Sequence, residues 1–464
     1  MTGGASVPRS STPLGSAVVS SAPDSTARLG GDEAVSTGDP AGVRVVLDAR
    51  PLQTPDRSPL AAAYLDGLLG AFDAAPLPGE SFAFLIGSDL DDPTTRFDHL
   101  AVIGRRQLPP TRLLRSAAMT VDPFVLRGAS VGAAWHAERG GAGGAVYHAV
   151  GGGPLPIASG LPLVVTLLDV APWELPEAYQ RSAASRFGQR LRARILRDAA
   201  AVIVGSPATA RAARRLLHLR RDRIRVVRLA PRAGFERGGG GGPGSPTADT
   251  RAADRRAADL RGRLGVPDRY LVLAGRFDAR LDLATLLSAL GSLVSAGRPD
   301  GLSDGIAWPP RILVVGANPE DRAAIARAAN RRRVGESIAY APAIASDELA
   351  GLIRGARAVV IPSLSDATGL PAIEAIAVGT PVIATTVGPL PELVGGAGLL
   401  VEPRDRGRLA VALATIWTDD RVREGVAAVA RERSAWDMRR WADVARETRA
   451  IYAEVGGRRS AGGR

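Results

Sequence analysis

Residues Pro362 to Pro403 read P-S-L-S-D-A-T-G-L-P-A-I-E-A-I-A-V-G-T-P-V-I-A-T-T-V-G-P-L-P-E-L-V-G-G-A-G-L-L-V-E-P. Two carboxylates, Asp366 and Glu374, stand eight positions apart with a Gly-Leu-Pro turn between them. Proline is favoured in the first helical turn, so the spacing predicts a helix starting at Pro371. The free N–H groups and positive dipole end of that helix would face an anion such as a diphosphate. Asp366 in the loop would then reach a sugar, and Glu374, one turn into the helix, ribose hydroxyls. Gly369 forms the turn and lets backbone N–H groups approach the ligand, with Leu370 beside it.

Outward from this stretch the chain alternates short apolar runs with helical patterns, which predicts a parallel, doubly wound α/β architecture. In the amino-terminal half, strands are expected at 43–49, 81–87, 145–148, 163–168, 201–204 and 224–229. Helices are expected at 60–72 and 182–197. A Gly-rich linker, 238–248, and a helix at 250–264 divide this half from a second series. There, strands are expected at 270–274, 311–315, 337–341, 358–361, 382–384 and 398–401, interleaved with helices. The expected organisation is a disordered tail (1–42), a first Rossmann-like domain (43–236), linker and helix (237–265), a second Rossmann-like domain (266–434), a terminal helix (435–455) and a disordered tail (456–464). Ligands of such pairs bind in the crevice at the carboxyl ends of the strands.

Composition bounds the chemistry. The chain of 464 residues has 45% hydrophobic residues and a formal charge of +12, enough for two full cores. The apolar run Leu161 to Leu168 is far too short to span a bilayer, and the amino terminus lacks the pattern of a secretory signal. Without cysteine there is no disulfide or thiolate site. Four histidines with no clustered pair argue against zinc. Every basic residue is arginine, which reads as the codon bias of a GC-rich genome. The functional alternative is affinity for phosphates, acidic substrates or an anionic membrane face. Without aromatic interleaving, the arginines do not suggest nucleic-acid binding.

The 362–403 segment resembles the retaining glycosyltransferases of family 4, whose consensus there is P-S-x-x-E-G-F-G-L-P-x-x-E-A-M-A-x-G-T-P-V-x-A-S. Pro362, Ser363, Gly369, Leu370, Pro371, Glu374, Ala375, Ala377, Gly379, Thr380, Pro381, Val382 and Ala384 match in register. Leu273 to Leu283 (L-A-G-R-F-D-A-R-L-D-L) is similar to the family's G-R-L-D-P-R-K-N-L, Asp48 to Gln53 to its opening D-A-R-P-L-Q, and Val164 to Pro172 to V-V-T-x-H-D-L. The resemblance covers residues 43–455. It implies a GT-B fold and metal-independent transfer of a hexose, with retention, from a UDP- or GDP-sugar to a saccharide or lipid-linked acceptor. No cofactor beyond the donor is implied, and the expected location is cytoplasmic, with peripheral contact at the inner face of the membrane.

Carried over residue by residue, the resemblance assigns Asp366 and Asp169 to the catalytic centre, and Arg276, Arg280, Gly369, Leu370 and Glu374 to the donor. Departures fall on chemistry-bearing positions. The family's first glutamate is Asp366, its phosphate-binding lysine is Leu281, and the histidine before Asp169 is Leu168. Its glycine-rich loop is S-P-L-A-A-A (Ser58 to Ala63), and a further glycine is Ala230. Asp169 reads either as a sugar contact or as the cap of the following turn, and His148 as cleft-facing or structural. These substitutions motivate a second hypothesis, a non-catalytic GT-B protein that binds nucleotide-sugar or scaffolds a glycosylation complex. A third is another nucleotide-sugar enzyme on this fold, such as an epimerase.

Overall fold

Side-chain alternation puts Val45 and Leu47 of the first strand into one core layer and Val46 into the layer on the opposite face of the sheet. A strand buried on both faces needs helices on both faces, and that requirement shapes both halves. The computed structural model describes residues 42–109, 126–127, 144–235, 248–274 and 277–461. Residues 1–41 of the tail expected at 1–42, most of the Gly-rich linker and Arg276 lie outside the described residues.

The amino-terminal sheet has seven parallel strands: β1 (Arg44–Asp48), β2 (Ser81–Gly87), β3 (Val102–Leu108), β4 (Ala145–Val150), β5 (Leu163–Thr166), β6 (Ala201–Val204) and β7 (Ile224–Val226), in the order β3-β2-β1-β4-β5-β6-β7. The carboxyl-terminal sheet has six: β8 (Leu271–Ala274), β9 (Ile312–Val315), β10 (Ile338–Ala341), β11 (Val359–Ile361), β12 (Val382–Thr385) and β13 (Gly398–Val401), in the order β10-β9-β8-β11-β12-β13. Every pair is parallel, with β1 against β4 and β8 against β11 at the centres. In the second sheet the alternation repeats: Val272 faces one core, Leu271 and Leu273 the other.

Five helices position the site: α1 (Pro59–Ala74), α2 (Ala183–Asp198), α3 (Pro207–Leu217), α4 (Leu370–Ala377) and α5 (Trp441–Ala461). The last crosses back to the amino-terminal sheet, where Trp441, Val444, Tyr452 and Val455 join its core. Trp441 meets the Tyr64 ring edge-on at 5.6 Å and donates its indole N–H to the Pro231 carbonyl at 2.8 Å. Helix α5 continues to Ala461, beyond Gly456 where the sequence reading begins a tail. Gly456 is buried there, with Gly144 packed against its backbone.

Two strands depart from expectation. Strand β3 was not expected because five of its seven residues, Ile103 to Gln107, are exposed at the sheet edge, so its sequence carries no apolar signature. The seventh strand ends at Val226 rather than Leu229, and Val227 and Leu229 pack into the core as a loop.

Candidate active site

The carboxyl ends of the two sheets face one another, and the candidate residues sit on the loops that leave them. From the carboxyl-terminal sheet, the loop after β11 carries Asp366. Its Oδ1 accepts hydrogen bonds from the backbone N–H groups of Thr368 (2.9 Å) and Gly369 (2.7 Å). No hydrogen bond to Oδ2 is formed among the described residues. Burial pushes the Asp366 carboxyl above the usual range. Those two N–H groups and Arg280 counter the shift, and Asp169 adds to it. The turn depends on two glycines. Gly369 adopts φ +62° as the residue before α4, and a Cβ on Gly388 (φ +53°) would lie 1.8 Å from the Asp366 carbonyl oxygen.

Helix α4 starts at Leu370 with Pro371 in its first turn, so its amino end opens directly from the Asp366 loop. Glu374 lies one turn in, with a side chain only 3% exposed. Its carboxylate is gripped by Arg232, whose Nε and Nη2 donate to Oε1 and Oε2 at 2.5 and 2.8 Å. Arg232 comes from the amino-terminal half, just beyond β7, and lies over the Phe235 ring at 5.6 Å. A bidentate guanidinium–carboxylate pair is among the strong charge-assisted contacts.

Arg280 forms a second bridge between the halves. It donates to Asp278 at 3.0 and 2.7 Å within its own loop, and its Nη1 stands 3.2 Å from Asp169 Oδ2. Asp169, after β5, also caps its own turn: Oδ1 accepts from the Ala171 N–H at 2.9 Å. Of the two sequence readings of Asp169, the structure shows the cap on Oδ1, while Oδ2 pairs with Arg280. Leu281, at the position of the family's lysine, turns away and packs on the core of the carboxyl-terminal sheet.

Glu174 was not anticipated. It ends the short helix Ala171–Glu174 that follows the Asp169 turn, and accepts a 2.6 Å hydrogen bond from Ser365 Oγ across the cleft. Burial raises its pKa; Ser365 and Arg215 counter this, and Asp169 and Asp366 add to it. The floor of the cleft is the Gly151–Gly153 loop after β4. Buried Arg192 of α2 ties it down, donating to the Gly152 carbonyl at 2.7 Å and the Gly151 carbonyl at 2.5 Å. Burial lowers the Arg192 pKa to about 10, with Asp169 opposing the shift.

Between these polar bridges the halves meet through apolar side chains. Leu60 and Ala63 of α1, Leu168, Leu229, Ala230 and Leu370 enclose a space of about 10 Å³ with Tyr64, Thr368 and Trp441. That is at or below the room one water needs. The substitutions for glycine in the α1 loop and for histidine at 168 supply this apolar seal. His148 lies outside the cleft. It is fully buried in the amino-terminal half, 2.6 Å from the Tyr452 hydroxyl and 2.8 Å from Thr166 Oγ1.

Two parallel Rossmann-like domains meeting at the carboxyl ends of their strands define a GT-B fold. Residues 268–419 match the family described as glycosyl transferases group 1. A D-inositol 3-phosphate glycosyltransferase of Streptomyces scabiei (strain 87.22) is 36% identical over 209 residues, which span 42% of this chain and 45% of that protein. The chain thus spans about half the length of the relatives it matches. Among solved structures, sucrose-phosphate synthase from Thermosynechococcus elongatus superposes with a TM-score of 0.65 at 22% identity, covering 90% of this chain and 100% of that one. Anabaena HepE in complex with UDP and glucose gives 0.62 at 15% identity, covering 89% and 100%.

Proposed function

We propose that this protein transfers a hexose from a nucleoside diphosphate sugar to a saccharide or lipid-linked acceptor, with retention of configuration and without a metal or other cofactor. The observation that carries the reading is the amino end of α4 with Asp366 and Glu374 at it and Arg280 on the neighbouring loop, within the residues that match a group 1 domain. The helix end and the Arg280 guanidinium would neutralise the departing diphosphate. Glu374 would take the ribose hydroxyls. Asp366 holds one oxygen on the turn, and Oδ2 would accept a hydrogen bond from a sugar hydroxyl. Retaining transfer passes through an oxocarbenium-like state, which both carboxylates and the leaving diphosphate would stabilise. The solved relative holding UDP and glucose favours a UDP-sugar donor. The relative named for inositol phosphate favours a polyhydroxy acceptor. Work in the cytoplasm, where such donors are made, belongs to the same proposal.

A second reading has its own observation. The apolar seal around Leu60, Leu168 and Leu370, together with the Arg232–Glu374 pair, keeps the cleft closed. A protein that binds nucleotide-sugar or scaffolds a glycosylation complex without turnover would tolerate that arrangement. Calorimetric titration with UDP, GDP and their sugars, followed by a turnover assay on the best binder, separates the two. Transfer to any acceptor supports the first. Binding with neither transfer nor hydrolysis over a broad acceptor panel supports the second.

A further inference from the structure

Helix α2 has two faces of unlike chemistry. At about 100° per residue, Arg186, Arg190, Arg194 and Arg197 fall within an arc of about 80°. All four are exposed. No ion pair to any of them forms among the described residues, and the helix's one acid is Asp198, its last residue. Phe187 lies at the edge of the same ridge and is 54% exposed. An arginine ridge produced by codon bias alone gives no reason for an uncovered phenylalanine beside it. The opposite face is core: Ile195 and Leu196 are buried, and Arg192 holds the Gly151–Gly153 loop at the floor of the cleft.

We propose that the outer face of α2 docks on an anionic lipid bilayer, with the four arginines at the headgroups and Phe187 inserted at the acyl boundary. Charge complementarity selects the occupant: a cationic ridge attracts an anionic leaflet. An exposed aromatic residue beside such a ridge can enter the headgroup–acyl boundary while the arginines meet the headgroups. A nucleic-acid surface would have no use for one phenylalanine at the edge of the ridge rather than on a stacking platform. Through Arg192 the docked helix would also hold the cleft floor near the membrane, where a lipid-linked acceptor is presented. The inference adds a place for the acceptor to the proposed transfer. Its test reads neither donor binding nor turnover, so each can fail without the other.

The experiment is co-sedimentation of the full chain with vesicles of equal parts phosphatidylcholine and phosphatidylglycerol, against vesicles of phosphatidylcholine alone. Binding is expected to the anionic vesicles only, and to weaken with salt. Each arginine near such a surface contributes on the order of 1 kcal/mol, so R186Q/R190Q/R194Q is expected to bind roughly 100-fold more weakly. F187S should lose several-fold without a change in charge. The comparison variant R327Q/R331Q/R406Q removes the same charge from exposed positions of the carboxyl-terminal half and should bind as the wild type does. Absence of binding to anionic vesicles, or equal losses in the two triple variants, would overturn the proposal. So would tight binding of duplex DNA that R186Q/R190Q/R194Q abolishes. Should that variant fail to fold, F187S alone carries the test.

Discussion

Arg232 of the amino-terminal half and Glu374 of the carboxyl-terminal half form a two-pronged ion pair, 2.5 and 2.8 Å long, with the carboxylate almost fully buried. The residue expected to anchor a ribose is therefore already held, and by the opposite side of the cleft. A donor entering here must share Glu374 with Arg232 or displace it. The pair would thus join the contact between the two halves to the proposed donor site.

Removing Arg232 leaves a buried carboxylate without its cation. Breaking one side of a buried pair costs several kcal/mol, less where one partner reaches solvent as Arg232 does, so Arg232→Ala is expected to destabilise the protein by about 1–3 kcal/mol. Arg232→Lys keeps the charge but loses the fork and should fall between. Denaturation of the three proteins, followed by calorimetry, checks the order; equal stability of Arg232→Ala and wild type would refute it.

Arg280 is the cation shared by Asp278 and Asp169. A charged hydrogen bond to phosphate contributes roughly 1.5–3 kcal/mol, so Arg280→Gln should weaken donor binding about 10–150-fold. Leu281→Lys should give no gain, because half-buried Leu281 packs against the core of the carboxyl-terminal sheet. Titration of both variants with the preferred nucleotide distinguishes them; tighter binding by Leu281→Lys would contradict the packing.

Gly388→Ala tests the Asp366 turn without touching a polar atom. Its methyl would collide with the Asp366 carbonyl at a positive φ that L residues rarely adopt. Strain of this kind costs of order 1–3 kcal/mol. The turn is expected to shift, lowering both melting temperature and donor affinity. Affinity unchanged from wild type would separate Asp366 from the donor.

Burial lowers the His148 pKa from 6.5 to about 3, so the folded state holds it neutral. An unfolded chain takes up the proton near pH 6.5 while the folded one does not until about pH 3. Stability from this group is therefore complete above pH 6.5 and is lost as the pH falls toward 3. The loss is up to about 1.4 kcal/mol per pH unit. His148→Gln should have a flatter stability profile across that window, measured by denaturant titration at several pH values. A slope equal to wild type would place the acid sensitivity elsewhere.

The sequence carried the fold because parallel strands buried on both faces announce themselves as apolar runs. Twelve of the thirteen strands, β3 excepted, fall on or within a residue or a few of their expected spans. Edge strand β3 did not, since Arg105 and Arg106 face solvent. Helix α3 also went unread, although Thr209, Ala212, Ala213 and Leu217 form one buried stripe with Arg211, Arg214 and Arg215 on the opposite face. Within the site, the Asp366 loop, Gly369 and the start of α4 were legible because they are consecutive. Glu174 and Arg232 were not, because their roles arise from partners 191 and 142 positions away. Nothing local to either residue signals such a pairing. Leu168 and Leu281 read alike as lost polar groups, yet one seals the cleft and the other packs against a core. Only the tertiary fold separates them.

The most direct test of the account is isothermal titration of the wild type and Glu374→Ala with UDP, GDP, UDP-glucose and GDP-mannose. Saturable binding of one nucleotide family to the wild type is expected, with binding to Glu374→Ala weakened at least roughly 10-fold. Equal affinity in the two proteins would remove Glu374 from the donor site. No binding of any nucleotide to the wild type would contradict the account at its centre.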